Sequence, residues 1–144
     1  MAGLEPWITL RRPLRECRKL FSDESFQRYS ASVDGRLAGF LVIGMQGAFT
    51  GYIKAVCVAP EFRGKGIGRA FIRFAEQRIF TESPNIFLCV SSFNRKAQRW
   101  YSGLGFTKAG ELKDYLIKGH SEIIMRKSIS PISTFNARRS VKRR

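Results

Sequence analysis

The residues best placed to do chemistry lie in Val56-Cys57-Val58-Ala59-Pro60-Glu61-Phe62-Arg63-Gly64-Lys65-Gly66-Ile67-Gly68-Arg69. Alternating Ile53, Val56 and Val58 read as a β-strand, and Pro60 closes it because it cannot extend the ladder. Gly64, Gly66 and Gly68 then bare the backbone where an apolar stripe at Ile67, Phe71, Phe74 and Ile79 or Phe80 announces a helix. The first turn of a helix has N–H groups without internal partners, and the helix dipole adds partial positive charge there. Glycines let an anion come close, and Arg63, Lys65 and Arg69 surround it with full charges, which suits a phosphate or diphosphate. A glycine-rich turn that only redirects the chain is the alternative. Two better-known phosphate loops are excluded: Gly64-Lys65 is followed by Gly66 rather than Ser or Thr, and Arg69 stands where a dinucleotide fingerprint needs its third glycine.

The elements that must position this stretch follow from the rest of the chain. Trp7, Leu10, Leu14, Cys17 and Phe21 recur at helical spacing, with Pro13 dividing the run into two short helices. Gln27 to Val33 alternates, turns at Asp34-Gly35-Arg36 and returns as Leu37 to Met45, a hairpin whose second strand is apolar on both faces and so central. A third strand, about residues 50–59, delivers the glycine loop, and the helix after it runs from Gly66 to about Thr81. Ile86 to Val90 reads as a buried strand, Asn94 to Leu104 as a helix with Ala97, Trp100, Tyr101 and Leu104 on one face, and Gly103-Leu104-Gly105-Phe106 as its stop, with a glycine of the kind that takes left-handed geometry. Strands over residues 106–112 and 121–128 follow, joined by a loop holding Asp114, Tyr115 and His120. This order predicts an α/β (α+β) fold with a mixed sheet and helices on its faces. Residues 1–130 read as one domain and residues 131–144 as a basic, mobile tail.

The net charge is +15 over 144 residues, with 44% hydrophobic composition. The composition fits a globular domain, and the charge fits an anionic ligand or partner. Much of the charge sits at the ends, in Arg11, Arg12, Arg15, Arg18 and Lys19 and again in Arg138, Arg139, Lys142, Arg143 and Arg144. A charge run is ordinarily a solvated face, so nucleic acid is a third-ranked partner. The first thirty residues do not read as a signal peptide, and no run approaches the roughly 18–20 apolar residues of a membrane helix. Cys17, Cys57 and Cys89 lack metal spacing, which leads us to expect no metal and a reduced, cytoplasmic protein.

The spacing Arg63-x-x-Gly66-x-Gly68 resembles the coenzyme A pyrophosphate loop of the GNAT superfamily of N-acetyltransferases. A second block, Asn94-x-x-Ala97-x-x-x-Tyr101-x-x-x-Gly105-Phe106, resembles the other signature of that superfamily and stands at the expected distance from the first. The similarity covers roughly residues 25–128. The run from Leu88 to Gly119-His120-Ser121-Glu122 looks most like the branch that includes ribosomal-protein N-terminal acetyltransferases. The resemblance implies a mostly antiparallel sheet splayed at the coenzyme site. It also implies acetyl-CoA as cosubstrate and an amine as acceptor (a peptide N-terminus, a lysine or a small molecule) attacking directly in a ternary complex. By the same resemblance the pyrophosphate would sit on Gly64, Lys65, Gly66, Ile67, Gly68 and Arg69 with Arg63, the pantetheine arm would pair with backbone near Val56 and Val58, and Asn94 would hydrogen-bond that arm. Tyr101 would be the general acid, and Tyr115 and His120 would line the acceptor site. Assembly as a monomer or a homodimer is left open.

Three departures stand out. The opening strand is replaced by the helical spacing of Trp7 to Leu10. Cys89 occupies a usual glutamate position, and Lys54 is offered where other members place an acid. The general base is therefore unassigned among Glu111, Asp114, His120 and Glu122, and binding of coenzyme A without turnover stands as the second reading.

Overall fold

The computed structural model describes residues 14–136, and these divide into two compact units. The first unit holds residues 24–86 and 128–136, and the second holds residues 14–23 and 87–127. The element order is α1 (Leu14–Ser22), β1 (Phe26–Val33), β2 (Arg36–Gly44), β3 (Tyr52–Val58), α2 (Ile67–Ile79), β4 (Asn85–Ser91), α3 (Arg95–Gly103), β5 (Thr107–Leu112) and β6 (Glu122–Ser128). The strand order is β1-β2-β3-β4-β6-β5, and β1–β2, β2–β3 and β5–β6 are antiparallel. This is the α/β architecture with a mixed sheet and helices that the element order predicts, and the sheet is mostly antiparallel, as the resemblance implies.

In the first unit, Asp34 and Gly35 both have positive φ (50° and 75°), the backbone of a two-residue turn whose twist matches the strands it joins. Ala38, Leu41, Val42 and Ile43 are all fully buried, so β2 is covered on both faces, as its unbroken apolar run requires. β2 pairs with β3 from Gly39↔Val58 to Gly44↔Tyr52, with a bulge that skips Lys54 and leaves it exposed.

Helix α2 buries Phe71, Ile72, Ala75, Ile79 and the Phe80 that follows it. Phe74, expected on the buried stripe, is 41% exposed and meets Tyr29 edge-on at 4.6 Å. The helix is rotated so that Ile72 and Ala75 take the place against the core that the sequence reading gave to Phe74. Gly39 makes that packing close. A Cβ there would overlap the Cys57 carbonyl oxygen and stand 3.1 Å from the Phe71 ring. Gly39→Ala should therefore destabilise the protein by about 1–3 kcal/mol, read as a lowered urea midpoint with an unchanged slope. An unshifted midpoint would contradict this packing.

The second unit has its core in Leu88, Val90, Tyr101, Phe106, Ile123 and Met125. Asn94 caps α3 at its start, and Gly105, with φ of 94°, redirects the chain at its end. Lys127 Nζ donates to the Leu104 carbonyl at 2.9 Å, a cation at a helix C-terminus where the dipole favours it. Of the α3 face expected to be apolar, only Tyr101 is buried.

Beyond β6 the Ile129 N–H donates to the Pro84 carbonyl, and Ile132–Thr134 form a short 3-10 turn. Trp7 to Leu10, where the missing strand was expected, and the basic residues 137–144 lie outside the described residues. No helix among the described residues is long and apolar enough to cross a membrane.

Candidate functional site

The glycine loop belongs wholly to the first unit. β3 ends at Val58, Pro60–Phe62 make a 3-10 turn, and Phe62 is buried as the anchor of the loop. Arg63 is extended, and Gly64 and Gly66 have positive φ (74° and 83°). Open space surrounds the position a Cβ would take at each of these two glycines. The glycines are therefore there for backbone conformation and access, not for tight packing.

Gly66 is the N-cap of α2 in left-handed geometry, with no side-chain cap and no acid in the first turn. Ala70 N–H makes the first intrahelical bond, to the Gly66 carbonyl at 3.0 Å. The amides of Ile67, Gly68 and Arg69 thus have no acceptor within the helix. A helix start left uncapped beside Arg63, Lys65 and Arg69, all exposed, is built to receive an anion.

Two cations stand over the Phe62 ring: Lys65 Nζ lies 5.6 Å from its centroid and Arg36 Cζ 5.1 Å. Arg36 also meets Glu61 at 3.4 Å. Sequence reasoning missed Arg36, because a hairpin-turn residue twenty-five positions before Glu61 carries no spacing signal for this loop.

The register of β2 with β3 fixes which way the backbone groups of Val56 and Val58 point. The Ala59 N–H bonds to the Ala38 carbonyl at 2.8 Å, which makes that pair, and with it Phe40↔Cys57, the mutually bonded ones. Bonded and non-bonded pairs alternate in an antiparallel ladder, so Gly39↔Val58 and Leu41↔Val56 are non-bonded. The N–H and C=O groups of Val56 and Val58 therefore point away from β2. One is already used, since Arg63 Nε donates to the Val58 carbonyl at 3.2 Å.

Asn94 and Tyr101 belong to the second unit. Asn94 Oδ1 accepts the Ala97 N–H at 3.2 Å, so the carbonyl of its side chain is committed to capping α3 and only the amide nitrogen remains to donate. Tyr101 is 8% exposed, with Trp100 and Phe106 edge-on at 4.9 and 5.7 Å. Burial holds its hydroxyl well above the ordinary tyrosine value, because phenolate would lose its hydration there. Tyr101 is thus a buried, neutral phenol, and a weaker acid than a solvated tyrosine.

The four candidates for a base have distinct fates. Glu111 pairs with Lys108 at 3.0 Å. Hydrogen bonds from Lys108 and then Ser121 hold its carboxyl below the usual range. Asp114, itself at φ 51°, accepts the Gly119 N–H at 2.7 Å and so closes the β5–β6 loop. His120 stacks edge-on against Phe93 at 5.0 Å. Glu122 is buried and accepts the Ser91 hydroxyl at 2.6 Å. That pairing spans 31 residues and has no sequence signal. Tyr115 is 63% exposed in the same loop as His120. Neither Cys57 nor Cys89 forms a disulfide, and burial pushes the Cys57 thiol up.

The chain resembles known proteins along most of its length. A model of the acetyltransferase (GNAT) family matches residues 3–106. An uncharacterized N-acetyltransferase of Methanocaldococcus jannaschii is 33% identical over 99 residues, which cover 67% of this chain and 63% of that protein. A peptidyl-lysine N-acetyltransferase of Escherichia coli is 34% identical over 95 residues, 64% of this chain and 60% of that protein. The matched part is thus less than two thirds of either relative. Two solved structures share the fold. The streptothricin acetyltransferase of Bacillus anthracis, in complex with acetyl coenzyme A, superposes with a TM-score of 0.68 at 21% identity, covering 78% of this chain and 68% of that one. The ribosomal-protein-S18-alanine N-acetyltransferase of Escherichia coli gives 0.67 at 20% identity, covering 82% and 81%.

Proposed function

Because the chain belongs to the acetyltransferase (GNAT) family, we propose that it transfers an acetyl group from acetyl-CoA to a primary amine by direct attack in a ternary complex. The observation that carries this reading is the uncapped start of α2, with left-handed Gly66, open space at Gly64 and Gly66, and three exposed cations beside unpartnered helical amides. That cradle suits a pyrophosphate held by Gly64, Lys65, Gly66, Ile67, Gly68 and Arg69, with Arg63 alongside. The backbone groups of Val56 and Val58 that face away from β2 would pair with the pantetheine arm as an added strand does. One of those N–H groups would hold the thioester carbonyl and stabilise the oxyanion as it forms. Asn94 would contribute the amide nitrogen that capping leaves over.

The amine attacks the thioester carbonyl in its neutral form, and collapse of the tetrahedral intermediate expels the coenzyme A thiolate. Tyr101 donates its hydrogen bond to that sulfur as negative charge develops. The proton lost by the amine goes to water or to His120, since Cys89 stands in a usual glutamate position and Glu111, Asp114 and Glu122 are already engaged. Tyr115 and His120, in the β5–β6 connection, would contact the acceptor, which is a peptide N-terminus, a lysine or a small amine. Residues 1–130 would act as one catalytic domain, in the cytoplasm.

The engaged carboxylates favour one second reading, binding of coenzyme A without turnover. Release of free thiol from acetyl-CoA, followed over a panel of primary amines, separates the two. Amine-dependent release is expected. Binding of acetyl-CoA with no release for any amine would leave a binding module.

A further inference from the structure

We infer that Arg36, at the start of β2, is a further coenzyme-binding residue: it leaves Glu61 to take the phosphate on the ribose of acetyl-CoA. The inference rests on the acetyl-CoA reading above and deepens it.

The hairpin fixes Arg36 beside the glycine loop. Arg36 pairs with Val33 at the turn. Two residues on, the Ala38 carbonyl accepts the Ala59 N–H at 2.8 Å, just before Pro60 leads into the loop. From this anchored backbone the Arg36 guanidinium reaches the Phe62 ring from outside the loop, as Lys65 reaches it from within, at 5.1 Å and 5.6 Å from the same centroid. The ring attracts each cation. The two cations repel each other, and an anion held by both turns that repulsion into attraction. Glu61 meets Arg36 at 3.4 Å, with the two side chains 54% and 67% exposed. That contact is longer than a well-formed charge-assisted hydrogen bond and lies open to solvent, so it contributes little and is readily exchanged.

Coenzyme A carries a diphosphate and, separately, a phosphate on its ribose. The diphosphate takes the amides at the start of α2 with Arg63, Lys65 and Arg69. The ribose phosphate needs a donor off the loop, and the hairpin supplies Arg36 there. A phosphate is dianionic, and its oxygens match the planar fork of the guanidinium, so it binds Arg36 more strongly than the exposed Glu61 carboxylate does. Asp34 and Glu61, both exposed, are the acids of the hairpin turn and the loop. Against them stand Arg36, Arg63, Lys65 and Arg69, also exposed, so this surface stays positive with both acids counted.

The test is calorimetric titration of the full chain with coenzyme A and with 3′-dephospho-coenzyme A, which lacks the ribose phosphate and keeps the diphosphate. Wild type should prefer coenzyme A by about tenfold at low salt, with the gap narrowing as ionic strength rises. Arg36→Gln should bring the two affinities within about twofold of each other, by weakening coenzyme A and leaving the dephospho form unchanged. Arg36→Lys keeps the charge without the fork and should retain part of the preference. Glu61→Gln separates this role from a structural one. It removes the competing carboxylate, so binding of coenzyme A should hold or tighten. Were Arg36 there only to brace the loop through Glu61, Glu61→Gln and Arg36→Gln would weaken both ligands alike. That result, or a wild type that binds both ligands equally, or a preference unmoved in Arg36→Gln, would overturn the inference and leave the acetyl-CoA reading standing. Binding of neither ligand by wild type would overturn both.

Discussion

Gly66→Glu should abolish detectable binding of acetyl-CoA, a loss of at least about a hundredfold, while the protein still folds. The size follows from what the residue exposes. Charge-assisted hydrogen bonds are worth about 1.5–3 kcal/mol each, and losing two of them costs a hundredfold or more. Open space surrounds Gly66, so a glutamate side chain meets no packing atoms. Its carboxylate would instead lie over the amides of Ile67, Gly68 and Arg69 and compete with the phosphate for them.

The backbone adds a smaller cost. Gly66 sits at φ 83°, a conformation that costs a residue with a side chain about 1–2 kcal/mol. Gly66→Ala separates the two effects: it carries the strain without the charge, and should lower the melting temperature slightly while keeping affinity within a few-fold. Calorimetric titration with a thermal melt on both variants reads the result. Equal binding by wild type and Gly66→Glu would show that the loop only turns the chain.

The second large effect is on turnover. Tyr101→Phe should lower kcat by about a hundredfold and leave the KM for acetyl-CoA within a few-fold, since the hydroxyl matters only when charge reaches the sulfur. The ring contacts with Trp100 and Phe106 survive the substitution, so stability should change little.

The raised pKa of Tyr101 also fixes a pH dependence. Below the ordinary tyrosine value of about 10 the phenol is neutral in both folded and unfolded chains, and its contribution to stability is complete. Above that value the unfolded chain ionises first, and stability is lost as pH rises toward the higher folded pKa. Activity should accordingly show no descending limb from Tyr101 below about pH 10. An unchanged kcat in Tyr101→Phe would reduce the residue to a core aromatic.

The glycine loop was legible in the sequence because its information is local: Pro60 ends a strand, Gly64 and Gly66 take positive φ, and the helix follows at once. The same holds for Asp34-Gly35 in the hairpin and for Asn94 and Gly105 bounding α3. Phe74 was misplaced because Phe71, Ile72, Phe74 and Ala75 offer two apolar stripes, and only tertiary packing chooses between them. Asn94 was read for one role, yet a side-chain amide has both an acceptor and donors, and the cap takes the acceptor. Arg36 on Phe62, and Ser91 on Glu122, were invisible because each joins residues far apart in the chain. Glu122 shows the cost most plainly: in the sequence it is one candidate base among four, and in the fold it is buried and bonded.

The most direct measurement is a calorimetric titration of the purified chain with acetyl-CoA. The account predicts one site per chain with micromolar affinity, weakening as salt screens Arg63, Lys65 and Arg69 from the phosphates. No binding by a protein that melts cooperatively would contradict the coenzyme assignment, and the acetyltransferase mechanism would fall with it.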